Sequence, residues 1–448
     1  MTGPDALPPG PPLPASVQTA LMLRWWSAVA FACRRRYGDV FTIRLAGFGT
    51  GVYLANPDHI KAVFAGDPRI FHAGEANSVL SGVLGRSSVL VLDEDLHRDR
   101  RRLMLAPFHR EAVARQEPLI AEIAAANIAG WPTGTEFPVV ERMSQITLEV
   151  ILRTAIGATD VDRLAALRSV MPRLLQLGPW DTLAVARPRL QRRWPWRSLR
   201  RRIAEADSLL YAEITDRRAD PNLADRTDAL AMLVRAADED GRQMTDRELR
   251  DQLMTLLLAG HDTTATALAW ALERLTRHPR VLAAAVAAAR ASASGDPAGD
   301  EYLDAVARET LRIRPVVFDV GRLLTEPVEV AGYRLPAGVT VIPAIGLVHA
   351  DAAQYDDPEE FRPERMLATN QDDAPPGRVP HAQRWLPFGG GNRRCLGANL
   401  ALTEMRVVLR EVLCRVELVP TSAAGERPRP RGVIQQPHRG ALIRARPL

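Results

Sequence analysis

Residues 388–397 read Phe-Gly-Gly-Gly-Asn-Arg-Arg-Cys-Leu-Gly. One cysteine, Cys395, stands in a glycine-rich loop, behind two arginines and ahead of a helical pattern. A thiolate binds soft and borderline metals. Structural zinc needs about four clustered Cys or His ligands, and Cys395 has no such neighbours. A single sulfur points instead to a cofactor that brings its own remaining ligands, a haem. Gly389, Gly390, Gly391 and Gly397 permit a tight loop whose backbone amides point at the sulfur. The helix that follows offers the thiolate its positive end, and such donors tune the metal.

Working outward, residues 397–416 form a last helix that carries Leu400, Met405, Val408, Leu409, Val412 and Leu413 inward. Before the loop, 350–394 is an irregular stretch rich in Pro, Asp, Arg and Gly, and a long irregular stretch inside a compact fold usually serves function. Residues 301–313 are a shorter helix ended by Pro315. Strand-like pieces follow at Val328–Val330, Tyr333–Leu335 and Val339–Ile342, with a turn at Gly332. Residues 96–290 read mostly as helix. Thr245-Asp246-Arg247-Glu248 is a capping box opening a pattern that runs to His278-Pro279. A helix of about 33 residues is roughly 50 Å long, enough to cross the domain. Gly260 sits in its middle, where glycine costs up to about 1 kcal/mol against alanine and so invites a functional reason. Near the start, 18–33 is an amphipathic helix interrupted by Arg24. Residues 39–55 form a hairpin around Ala46–Thr50; its Gly-x-Gly-x-Gly is a turn, since no helix follows where a dinucleotide fingerprint needs one. The expectation is one domain over 1–448, with 1–15 a proline-rich tether: a large, mainly α body with a long central helix and a smaller β-rich lobe.

The 448 residues are 46% hydrophobic and 25% charged, which supports a large core. The net charge of +5 rests almost wholly on arginine, with Lys61 an exception. It is too mild to argue for nucleic acid, although it can steer an acidic protein partner. Cys33, Cys395 and Cys414 cannot all pair, so no disulfide framework is expected and a reducing, cytoplasmic setting fits best. Cys33 and Cys414 read as core. The amino terminus lacks the apolar core of a signal peptide, and no run approaches the ~18 apolar residues of a membrane helix.

Phe388-x-x-Gly391-x-Arg393-x-Cys395-x-Gly397 resembles the haem-binding signature of the cytochrome P-450 family at every signature position. Glu309-Thr310-Leu311-Arg312 is similar to the family's Glu-x-x-Arg helix. Phe361-Arg362-Pro363-Glu364-Arg365-Met366 resembles its Pro-Glu-Arg-Phe segment, with methionine in place of the final phenylalanine. Ala259-Gly260-His261-Asp262-Thr263-Thr264 resembles its oxygen-binding groove. The four occur in family order, and the likeness spans about residues 8–445.

The resemblance implies the cytochrome P-450 fold and a soluble bacterial type of haem-thiolate monooxygenase. Cys395 would be the axial ligand of haem b. Phe388, Gly397, Ala259 and Gly260 would border it, with Gly260 leaving room for oxygen against a locally widened helix. His97 and Arg101, one turn apart, with Arg322 and Arg393, would face the two propionates; arginine suits carboxylates because its planar fork binds them bidentately. Arg98, Arg100 and Arg102 read as a solvated helix face. Glu309, Arg312 and Arg365 would form a structural cluster holding the irregular loop to its helix. Asp262 and Thr263 would be catalytic, Asp262 feeding protons from solvent and Thr263 hydrogen-bonding the oxygen or holding a water; His261 receives no role.

O2 would be co-substrate, one atom entering a hydrophobic molecule by C–H hydroxylation. The chain shows no flavin domain or iron–sulfur cysteine cluster, so electrons would reach it from NAD(P)H indirectly, through a ferredoxin and its reductase docking near Cys395. Pocket walls would come from 72–92, 170–200, Leu256, Leu257, Ala259, Val316, Val317, Phe318, Val320 and Ile434-Gln435. The Arg- and Trp-rich segment around Trp180, Trp194 and Trp196 reads as packed helix and loop. Two rivals differ by class: a peroxide-using or rearranging enzyme of the same fold, which tends to lose the acid–alcohol pair, and a non-enzymatic haem- or ligand-binding protein, which needs neither Thr263 nor an electron-partner face.

Overall fold

A computed structural model describes residues 7–158, 160–175, 197–367 and 381–448. The segment with Trp180, Trp194 and Trp196 lies outside the described residues, as do parts of the tether, of the 170–200 wall and of the irregular stretch.

The β-rich lobe begins with helix α1 (Ala15–Tyr37), which bends at Trp25, where φ is −139° and ψ 42°. Strands β1 (Val40–Leu45) and β2 (Gly49–Leu54) pair antiparallel, confirming the hairpin. Both are rich in the β-branched and aromatic residues that suit a half-buried sheet. The sheet continues through β3 (Phe71–His72), β4 (Arg322–Leu324) and, beyond the small hairpin β5–β6 (Val328–Val330, Tyr333–Leu335), β7 (Thr340–Pro343). β2 runs parallel to β7, which pairs antiparallel with β4, and β4 with β3. Residues separated by some 290 positions therefore share one sheet, and β4 carries Arg322 into the interior.

The helical body is built on α2 (Glu94–Met104), α3 (Val139–Ile151), α4 (Asp246–Arg277), α5 (Pro297–Ile313) and α6 (Ala398–Arg415). The capping box opens α4 as expected: Glu248 N–H donates to Thr245 Oγ1 at 3.3 Å and Thr245 N–H to Glu248 Oε2 at 2.8 Å. The helix is buried along most of its length, with α3, α5 and α6 packed on it. α5 starts four residues earlier than its hydrophobic pattern indicates, because Pro297 occupies the first turn and the Asp296 side chain accepts Ala298 N–H at 2.9 Å. The six apolar residues expected to point inward from α6 are buried. Cys33 is in the core and Cys414 packs against it. No helix among the described residues is long and apolar enough to cross a membrane.

Candidate active site

The Cys395 loop is shaped by two glycines. Gly391 has φ +64°, and a Cβ there would overlap the carbonyl of Phe64; one on Gly390 would overlap the Phe64 ring. The loop is thus pressed onto the helix Pro57–Ala65 of the β lobe. Cys395 N–H donates to Phe388 O at 2.9 Å, closing the loop. Gly397, at the N-cap of α6, donates its N–H to the Cys395 sulfur. The thiol is hemmed in by protein, so burial pushes its pKa up, while the Gly397 amide, Arg101 and Arg394 pull the other way. Its surface is nonetheless exposed, which means that it opens onto an internal space. Ala259, midway along α4, is exposed too, between partly buried neighbours.

Three arginines converge beside this space. Arg101 on α2, Arg322 on β4 and Arg393 in the loop all act on His97, which burial and these three cations hold neutral, its pKa lowered to about 3. Arg322 lies over the Phe64 ring at 5.5 Å. Burial and the neighbouring Arg393 lower its pKa to about 10. Burial, and then Arg101, lower Arg393 to about 10 against the pull of Asp93. Asp93 is the counter-charge, accepting from Arg393 and from Gly74 and Glu75 N–H at 2.8 Å. Arg101 makes no hydrogen bond or ion pair with a carboxylate among the described residues. Arg322 is buried and Arg101 and Arg393 are partly buried, so three cations against one anion leave an excess of two positive charges, which is costly without a partner. A group with two carboxylates answers that excess, so these residues fit a haem. His97, Arg101, Arg322 and Arg393 are brought together as expected. Asp93 was not legible, since nothing local distinguishes it from an ordinary helix-start aspartate.

Arg100 departs from the expected solvated face. Arg98 and Arg102 are exposed, but Arg100 is nearly covered and pairs with Glu248, tying α2 to the start of α4.

On α4, the expected local widening at Gly260 is absent: the helix is α-helical from Asp246 to Arg277. Gly260 instead receives a neighbour, since a Cβ there would meet Ile151 Cδ1 of α3 at 3.2 Å. Thr263 Oγ1 donates to Ala259 O at 2.6 Å, leaving its lone pairs as acceptors. Asp262 is largely covered; burial raises its pKa, and Arg431 and Gln436 oppose the rise. Its Oδ1 accepts from Gln436 Nε2 at 3.2 Å and stands 3.5 Å from Arg431 Nη1. His261 turns away: it is buried, with Nε2 2.8 Å from Ser144 Oγ on α3, and burial lowers its pKa to about 4. It is a neutral helix-to-helix tie.

Glu309 and Arg312 meet on α5 as expected, and Arg365 joins them with Nε 3.0 Å from Glu309 Oε1. Arg312 also donates to the carbonyls of His349, Pro358 and Glu360, which anchors the irregular stretch.

The four expected pocket residues divide. Val316 and Val317 face the helical core, and Val320 packs with the β-lobe cluster. Phe318 packs in a different cluster: its ring fills the slot left by Gly346 and lies edge-on to Phe31 of α1 at 5.9 Å. The chain bends at Val316 and Val317, and Gly346 leaves the space that the ring of Phe318 occupies. Leu257 is likewise fully buried in the core and Leu256 nearly so.

The family model described as Cytochrome P450 matches residues 8–444. The chain belongs to the cytochrome P450 family. It is 69% identical over 440 residues to cytochrome P450 135B1 of Mycobacterium tuberculosis and of Mycobacterium bovis, covering 98% of this chain and 91% of the relative. Identity to cytochrome P450 135A1 of Mycobacterium tuberculosis is 40% over 443 residues, with 98% and 95% covered. Among solved structures, CYP102L1 superposes with a TM-score of 0.84 over 100% of both chains, and retinoic acid-bound cyanobacterial CYP120A1 with 0.82 over 99% of both. Both are 23% identical to this P450 and share its fold. The enzyme is accordingly a P450 monooxygenase with a thiolate-ligated haem iron, served by redox partners and acting on hydrophobic molecules.

Proposed function

We propose that this P450 inserts one atom of O2 into a hydrophobic organic substrate, most simply by hydroxylating a C–H bond, with Cys395 as the thiolate that would hold the haem iron. The observation that carries the reading is the pairing of Cys395, its sulfur receiving the Gly397 amide, with a neighbouring cluster that has two positive charges to spare. A bound haem supplies the oxygen-activating iron, and the thiolate donates electron density that favours O–O cleavage.

The protein's own residues do the rest. Arg101, Arg322 and Arg393 hold the two carboxylates, and His97 adds a neutral N–H donor. Gly397 N–H and the N-terminus of α6 stabilise negative charge on sulfur. Thr263 keeps its hydroxyl proton engaged on Ala259 O and presents acceptor lone pairs to a water. Asp262, one residue away, exchanges protons with solvent and passes them inward. Val316 and Val317 contribute apolar wall. Electrons come from NAD(P)H through a ferredoxin and its reductase. A hollow of about 500 Å³, bordered by Lys61, Arg308, Trp385, Gly389 and Arg394, lies beside the loop and suits an acidic partner.

The test is the absorption spectrum of the dithionite-reduced protein under carbon monoxide. A strongly red-shifted Soret band is expected; a band typical of a neutral ligand refutes Cys395 as ligand. Incorporation of label from ¹⁸O2 into product then separates monooxygenation from peroxide-driven chemistry.

A further inference from the structure

Asp262 is held by an element remote in sequence. Strands β8 (Pro428–Arg431) and β9 (Ile434–Pro437) form a hairpin near the carboxyl end, with Arg431 opposite Ile434 and the tip at Gly432 (φ +58°) and Val433. Ile434 and Gln436 alternate with Gln435 along β9. Gln436 reaches Asp262 and Thr266 on α4; Gln435 is anchored elsewhere, its carbonyl accepting from Trp270 Nε1 at 3.0 Å. The expected wall at Ile434-Gln435 thus stops one residue short of the side chain that touches the acid.

The amide of Gln436 is engaged at both ends. Its Nε2 donates to Asp262 Oδ1 at 3.2 Å and to Thr266 Oγ1 at 3.1 Å, and its Oε1 accepts from Arg431 Nη1 at 3.2 Å. The reverse amide orientation would set its oxygen against a carboxylate and its NH2 against a guanidinium, so the charges on either side fix it. Every hydrogen bond to Asp262 from the described residues lands on Oδ1, leaving Oδ2 free. Arg431 is one-third exposed while Asp262 is 13% exposed, so the guanidinium bridges solvent and the covered acid. Among the charged groups of the elements packed around Asp262, Arg431 of β8 is the one acting on it; His261 beside it is neutral and faces Ser144 of α3.

We propose that Arg431 and Gln436 are positioning residues that orient Asp262 and govern when its carboxylate takes up a proton, which makes the β8–β9 hairpin part of the proton-delivery apparatus. The proposal rests on the reading of Asp262 as the proton conduit. In it, Oδ2 gives its proton toward the site and regains one from solvent, while Oδ1 stays tied to Gln436. Arg431 favours the ionised acid. If Arg431 swings outward, the acid gains proton affinity and the path to solvent opens.

The test has two arms on the haem-loaded protein. The first is an infrared pH titration of the Asp262 carboxyl, assigned by its loss in Asp262→Asn. In Arg431→Met the midpoint should rise by about one pH unit or more, a tenfold gain in proton affinity. Arg431→Lys should return most of it, and Gln436→Leu should shift it in the same direction. An unmoved midpoint in folded Arg431→Met overturns the proposal. The second arm needs no substrate. With NADPH, a ferredoxin and its reductase, O2 is reduced either to H2O2 with two electrons and two protons, or to two H2O with four of each. The pH dependence of the peroxide fraction should move with the infrared midpoint in each variant, and a fraction whose profile stays fixed refutes control of proton delivery. Failure of the enzyme reading is separately visible as an absent red-shifted carbon monoxide band, which none of the three hairpin variants should change.

Discussion

Arg312 meets Glu309 edge to edge, Nε to Oε2 and Nη2 to Oε1 both at 2.8 Å, and neither side chain is reached by solvent. Arg365 adds a third bond from 56 residues further along the chain. Removing one member leaves a buried charge without its partner, which costs about 3–5 kcal/mol. Glu309→Ala should therefore abolish recovery of folded, haem-loaded protein, whereas Arg365→Lys, which keeps a cation near Glu309, should lower the thermal midpoint but retain the carbon monoxide band. Unfolding scans of the two variants check the ordering.

Cys395→Ser should fold, since the closing bond from residue 395 to Phe388 O is made by the backbone. Its reduced carbon monoxide complex should lose the red-shifted band. An unchanged spectrum would mean that another residue ligates the iron.

Thr263→Ala removes a hydroxyl whose only bond among the described residues is to its own helix. Stability should change by less than about 1 kcal/mol. Oxygen consumption should continue while peroxide rises and product falls. Chemical denaturation and a peroxide assay together separate this from simple unfolding.

His261 and His349 are buried neutral. Burial takes His261 from 6.5 to about 4 and, with Arg312, His349 from 6.5 to about 3. The unfolded chain binds these protons at higher pH than the folded one does, so stability falls as pH drops from 6.5 toward 4. Each histidine contributes a slope of about 1.4 kcal/mol per pH unit. Urea unfolding at pH 7 and pH 5 should show a smaller loss in His261→Gln than in the wild type. An equal loss would show that His261 is not what acid protonates.

Phe318 and Val317 are neighbours with opposite fates. Phe318→Ala should cost about 3–5 kcal/mol by emptying the slot against Gly346 and Phe31, with little effect on spin-state shifts induced by apolar ligands. Val317→Phe should alter those shifts and leave stability nearly intact. Ligand titrations and thermal scans of the pair decide it.

The features that the chain announces are those written in local chemistry. The capping box at Thr245, the glycines around Cys395 and the spacing of Glu309 to Arg312 each need only a few consecutive residues, and all three sit where the pattern puts them. What escaped depends on partners brought in by folding. Asp93 looks like any residue before a helix until Arg393, 300 positions on, arrives beside it. Arg100 was indistinguishable from Arg98 and Arg102 because its partner Glu248 lies in another helix. Gln436 carries no local mark at all. Phe318 followed an apolar run correctly, but side was decided by Gly346, a residue with no side chain to signal it.

The overlap that any side chain on Gly390 or Gly391 would make with Phe64 has a consequence for engineering. The thiolate loop and the helix Pro57–Ala65 form one interlocked part, although more than 320 residues separate them in the sequence. A chimaera that exchanges the amino-terminal lobe with a relative's must carry the 388–397 loop across with it, or match the backbone at Phe64 closely. Any single crossover between Ala65 and Phe388, one along α4 included, parts the two.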